Sequence, residues 1–141
     1  MSHPDEVPVN AVLIVLVAHA PLASALQAVA RHVHDDCDGD LMALDVPDGW
    51  TGEQVTAALQ SALMARAVRP VLFLVDALGA SPSNAVTRWI EMAKRPAAAV
   101  HGVNVPMLWR VLAYRREPLP ALVERAVTGG SLGIGATPPA V

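Results

Sequence analysis

The chain holds one cysteine, Cys37, so no disulfide forms within it, and such sparing use of thiols suits a reducing compartment. It also lacks any block of like charge: ten Lys and Arg stand against thirteen Asp and Glu, a formal net charge of −3. Without clustered cations there is no surface to neutralise a run of phosphates, which argues against a nucleic-acid partner. No cation precedes the first apolar run either. That run, Val12 to Ala30, ends in Ala28-Val29-Ala30 and mimics a signal-peptidase site, yet Asp5 and Glu6 stand where a secretory signal needs Lys or Arg. His19, Pro21, Ser24 and Gln27 interrupt it well short of a membrane span. The expectation is a cytoplasmic protein with no direct membrane insertion. With no internal repeat and no composition break, residues 11–141 read as a single domain, long enough to bury a core, behind a loose polar leader at residues 1–10.

What is present is aliphatic. Apolar residues make up 53% of the chain, and Val12 to Val17 are six large aliphatics without a polar face. Such a run is a strand buried on both sides of a parallel sheet. It ends at His19, and Pro21 suits the first turn of a helix, expected from about Pro21 to His34. A polar turn, Asp35 to Asp40, leads to a second strand over Leu41 to Val46. Thr51 and Gln54 have capping-box spacing and open a helix to about Arg66. Val71 to Val75 is again fully apolar and stops at Asp76. Gly79 permits a tight turn, and Ser81-Pro82 reads as an N-cap and first residue of a helix to about Lys94.

A weaker fourth strand follows over Ala97 to Val103, then a helix capped by Asn104 and a last helix over Leu119 to Val127. Gly129-Gly130 reads as its end, with a short strand over Ser131 to Ala136. Alternating strands and helices imply an α/β fold, an open, mainly parallel sheet with helices on both faces. The two most hydrophobic strands, the first and third, belong at the centre, which makes the order 2-1-3-4. Ligands of such sheets bind where the strand order reverses, here between His19 and Asp76.

This topology makes neighbours of two residues 57 positions apart. A carboxylate accepting from Nδ1–H holds an imidazole in the tautomer whose Nε2 is nucleophilic, and steadies the positive charge that bond formation creates. Two helices begin beside the pair, at Pro21 and at Ser81-Pro82, and helix N-termini favour anions. Together these features suggest phosphoryl transfer through a phosphohistidine.

Three blocks then resemble the IIA components of the mannose/fructose/sorbose phosphotransferase system (PTS). Val12 to Pro21 is similar to that family's opening strand, which ends in Ser/Thr-His-Gly. Leu74-Val-Asp-Ala-Leu-Gly-Ala-Ser-Pro-Ser-Asn84 resembles its Leu-x-Asp-Leu-x-Gly-Gly-Thr/Ser-Pro-x-Asn, and Gly102-Val-Asn-Val-Pro-Met-Leu108 its Gly-x-Asn-Leu-Pro-Met-Leu. With Leu122 to Ile134 resembling the tail, the likeness spans nearly the whole chain. It implies a phosphotransferase in which His19 accepts a phosphoryl group from the phosphocarrier HPr and passes it to a IIB component. It also implies that Asp76 orients His19 and that Ser81 holds phosphoryl oxygens. It further implies no metal or organic cofactor, and homodimers in which a last strand, antiparallel to the rest, can be exchanged between subunits. An alternative is a regulatory module whose phosphorylation state governs binding to a target protein, with no direct role in sugar uptake. Two glycines of the family motif are Ala20 and Ala80 here; where they supplied positive φ or close backbone approach, alanine would slow the chemistry.

Other features read more plainly. His32 and His34 are two apart on a helix and face different ways, with no second ligand cluster to complete a metal site. Gly130-x-x-Gly-x-Gly135 precedes no helix and is not a dinucleotide loop. His101 reads as structural or surface, Trp50, Trp89 and Trp109 as core or interface residues. Arg110, Arg115 and Arg116 fit either a solvated helix face or an acidic partner.

Overall fold

The computed structural model describes residues 11–77 and 79–140, so the expected leader lies outside the described residues. In chain order come β1 (Leu13–His19), α1 (Leu22–Val33), β2 (Leu41–Val46), α2 (Gly52–Met64) and β3 (Val71–Val75). They are followed by α3 (Ser81–Met92), β4 (Ala97–His101), α4 (Val105–Ala113) and α5 (Leu119–Leu132). The strands form one parallel sheet in the order β2-β1-β3-β4, the order expected from their hydrophobicity.

Strand alternation divides the core into two layers. Ile14, Leu16 and Ala18 of β1, with Leu72 and Leu74 of β3, pack beneath α1, α4 and α5. Leu13, Val15 and Val17, with Val71, Phe73 and Val75, pack beneath α2 and α3. Successive residues point to opposite faces and both faces are covered, so a central strand here tolerates no polar position. Phe73 meets Trp89 of α3 edge-on, with ring centroids 5.2 Å apart. Trp50 is half-buried against the same layer and Trp109 is partly exposed, at 39%.

The helix starts follow local chemistry, with one correction. Thr51 and Gln54 form the reciprocal box: Gln54 N–H donates to Thr51 Oγ1 (3.2 Å) and Thr51 N–H to Gln54 Oε1 (2.8 Å). Asn104 Oδ1 accepts from Met107 N–H at 2.9 Å. Ser81, however, is not the cap of α3. Ala80 holds that place in extended backbone, and Ser81 and Pro82 are the first two helical residues. Every amide of a first turn lacks an intrahelical partner, so proline fits the second position as well as the first.

The chain's end departs further from expectation. Gly129-Gly130 does not break α5, and no strand forms over Ser131 to Ala136: Ser131 and Leu132 complete the helix, and no strand follows among the described residues. The glycines serve contact between helices instead. A Cβ on Gly129 would lie 2.7 Å from Arg110 Cβ, so α5 lies too close to α4 for a side chain there, and one on Gly130 would have to displace the Met107 methyl. Helix packing outweighs the roughly 1 kcal/mol that glycine costs within a helix. No helix among the described residues is long and apolar enough to cross a membrane.

Candidate functional site

β1 and β3 run side by side with Val17 opposite Val75, so both chains leave the sheet together at their carboxyl ends. His19 and Asp76 emerge there in contact. His19 Nδ1 lies 2.6 Å from Asp76 Oδ2, and the same oxygen accepts the His19 backbone N–H at 2.9 Å. Asp76 Oδ1 accepts the Ala77 N–H at 2.8 Å. The carboxylate is thus largely enclosed, at 12% side-chain exposure, while the imidazole is 56% exposed. Nδ1 is taken, and Nε2 is the ring nitrogen left for an incoming group.

Burial alone would push the Asp76 carboxyl up. The backbone and ring donors of His19 and the Ala77 amide outweigh it and hold the group below the ordinary carboxylate range. The sign of the linkage follows. Because the folded state binds the proton more weakly, the stabilisation is complete above the unfolded pKa of about 4 and is lost as pH falls through the lower folded value. Acid titration followed by circular dichroism should show stability flat near neutrality and falling only below about pH 4. In Asp76→Asn that acid loss should be smaller; an unchanged titration would contradict the linkage.

Ser81 sits exposed at the first position of α3, directly after the loop that leaves Asp76. In that loop Gly79 has φ of +84°, a conformation that suits glycine and strains other residues. Neither Ala20 nor Ala80 has positive φ, and Ala80 is extended at φ −84°. Alanine at these two positions therefore carries no backbone strain.

The two helix N-termini are not equivalent. At α1 the Ser24 N–H donates to Asp45 Oδ1 at 3.0 Å, so a carboxylate of β2 already occupies part of that terminus. Nothing in the sequence near Pro21 signals this, because Asp45 reaches α1 only through the pairing of Ala18 with Asp45. The amide end of α3, whose cap contributes no side-chain bond, is the better anion site of the two. The surrounding charge is also one-sided. None of the ten Lys and Arg lies in the loops that follow the four strands, whereas Asp45, Asp48, Glu53 and Asp76 all lie at this pole.

Among the described residues no group of three His, Cys, Asp or Glu is arranged to hold a metal. Arg115 is largely enclosed and Arg116 half-exposed, and both reach buried Asp40 at the opposite end of the sheet.

These features define a class: an α/β protein with a solvent-open histidine held by a carboxylate at the switch point of its sheet. Residues 13–127 match the family model EIIA-man, described as the PTS system fructose IIA component, and the chain belongs to that family. No curated protein matches it in sequence. Among solved structures it is similar to the phosphotransferase system component EIIA from Streptococcus agalactiae. That likeness has a TM-score of 0.80 and 21% identity over 89% of this chain and 96% of the other. It is similar also to the mannose/sorbose-specific IIA subunit from Enterococcus faecalis, with a TM-score of 0.80 and 17% identity over 92% and 96% of the two chains. A sigma-54 interaction domain protein from Enterococcus faecalis shares the fold at a TM-score of 0.76 and 12% identity, over 89% and 96%.

Proposed function

We propose that this chain is a phosphocarrier of the phosphoenolpyruvate-dependent sugar phosphotransferase system, taking a phosphoryl group from HPr on His19 and passing it to a IIB component. The observation that carries this reading is the 2.6 Å approach of His19 Nδ1 to Asp76 Oδ2, with the imidazole otherwise open to solvent. The Nε2 lone pair forms the N–P bond as the bond from phosphorus to the donor breaks, its electron pair returning to the donor. The Nδ1 proton stays on the ring, held by Asp76, and the positive charge that develops is balanced by that carboxylate. Ser81 and the first amides of α3 receive the phosphoryl oxygens. Transfer to IIB reverses these steps.

The test mixes the purified chain with phosphoenolpyruvate, enzyme I and HPr. One acid-labile, alkali-stable phosphoryl group per chain is expected, and it should be discharged when a cognate IIB protein is added. Failure of HPr~P to label the chain would sink the reading. A regulatory role, in which phosphorylated and free His19 bind a target protein differently, is favoured by the likeness to the sigma-54 interaction domain protein. It predicts label that persists in the presence of IIB proteins.

A further inference from the structure

A second imidazole is built into this pole, and the mechanism above makes no use of it. His101 ends β4, opposite Val75, the residue that precedes Asp76. Its Nδ1 lies 3.1 Å from Ser83 Oγ. Ser83 is the third residue of α3 and only 2% exposed. A buried hydroxyl without a partner is costly. His101 therefore accounts for a side chain that the core would otherwise disfavour.

The position of this bond gives it a consequence for the site. The first turn of α3 is packed through buried Pro82 but has little hydrogen bonding of its own: Ala80 caps it with no side-chain bond, and Pro82 has no N–H. The Ser83–His101 bond ties that turn to the sheet, two residues after Ser81. A serine hydroxyl can donate to a bare Nδ1 or accept from a protonated one, so the tie survives either protonation state of the imidazole. This suits a fixed pin and not a pH switch.

We infer that His101, acting through Ser83, is a positioning residue that holds the first turn of α3, and with it Ser81 and the anion-receiving amides, in register with His19. The inference rests on the phosphocarrier reading. Misplacement of a receiving group by about 1 Å costs up to about a hundredfold in rate.

The test compares His101→Ala, His101→Asn, Ser83→Ala and the double variant Ser83→Ala/His101→Ala, using HPr~P as donor. His101→Ala and Ser83→Ala should each lower the maximal labelling rate of His19 about tenfold, with little change in the HPr concentration for half-maximal rate. His101→Asn, whose amide can stand near the Nδ1 position, should recover most of the rate. The double variant should be no slower than either single one, because one interaction is removed once. Amide hydrogen exchange supplies a readout independent of labelling: Asn84 and Ala85, in the first turns of α3, should lose protection in His101→Ala and Ser83→Ala. Should His101→Ala fail to fold, Ser83→Ala, a near-isosteric change, carries the same comparison. Folded variants that label at the wild-type rate with unchanged protection would overturn the inference, as would an additive double variant. Lost protection in a protein whose wild type never labels would keep the pin, overturn its role in positioning the site, and discard the phosphocarrier reading.

Discussion

His19→Ala is expected to carry no acid-labile phosphoryl group when mixed with phosphoenolpyruvate, enzyme I and HPr, however long the incubation. No other described imidazole is placed to replace it. His101 is bonded to Ser83, and His32 and His34 lie at the far end of α1, towards the opposite pole of the sheet. The side chain is more than half exposed and Asp76 keeps two backbone donors, so the variant should remain folded. Asp76→Asn gives the graded counterpart. An asparagine amide at that place removes the charge that balances the imidazolium and can donate to Nδ1, forcing the ring's proton onto the nucleophilic nitrogen. Labelling should slow on the order of a thousandfold in a protein that is still folded. Full labelling of His19→Ala would put the nucleophile elsewhere, and an Asp76→Asn rate within about twofold of wild type would reduce that carboxylate to a turn residue.

Asp40→Ala should be among the most destabilising single changes in the chain. Asp40 is 3% exposed and receives Arg69 at 2.7 Å, Arg115 at 3.1 Å and Arg116 at 3.1 Å. Burial pushes its carboxyl up, but hydrogen bonds from Arg69 and Arg116 and the nearby positive charges outweigh burial and hold it below the usual range. Arg69 also donates to the carbonyls of Ala11, Val12 and Gly39, joining the entry of β1 to the turn before β2. Removing the carboxylate leaves the largely enclosed Arg69 guanidinium without its counter-charge and leaves Arg115 with only the exposed Asp36. Loss of one partner from such a buried cluster costs about 3–5 kcal/mol. Equilibrium urea unfolding measures it, with the slope unchanged and the midpoint lowered. Asp40→Asn should lose less, since it retains an acceptor for Arg69. A midpoint for Asp40→Ala close to wild type would show that the cluster is solvated in solution. None of this should alter His19 labelling in the fraction that is folded, because the cluster lies at the other end of the sheet.

Much of this molecule was legible in the chain itself. The unbroken aliphatics of β1 and β3 cannot face water on either side, which places both at the centre of the sheet and makes His19 and Asp76 neighbours. The Thr51-Gln54 box and the Asn104 cap are local and were readable for that reason: each involves groups three residues apart. Arg69, Arg115 and Asp40 look like ordinary surface residues in sequence, and only the folded chain shows them enclosed together. Gly129-Gly130 reads as a helix end until α4 is seen lying against it. The capping of α1 by Asp45 and the bond between Ser83 and His101 belong to the same group.

Burial patterns and capping chemistry repeat over a few residues, so the primary structure alone determined the four parallel strands, their order in the sheet and the histidine–aspartate pair. Which charges neutralise one another, which helix end stays open to an anion and how closely two helices approach depend on distances between segments far apart in the chain. Those were decided only by the packed structure, because side chains with no mutual sequence signal meet there when strand register and helix contact bring them together.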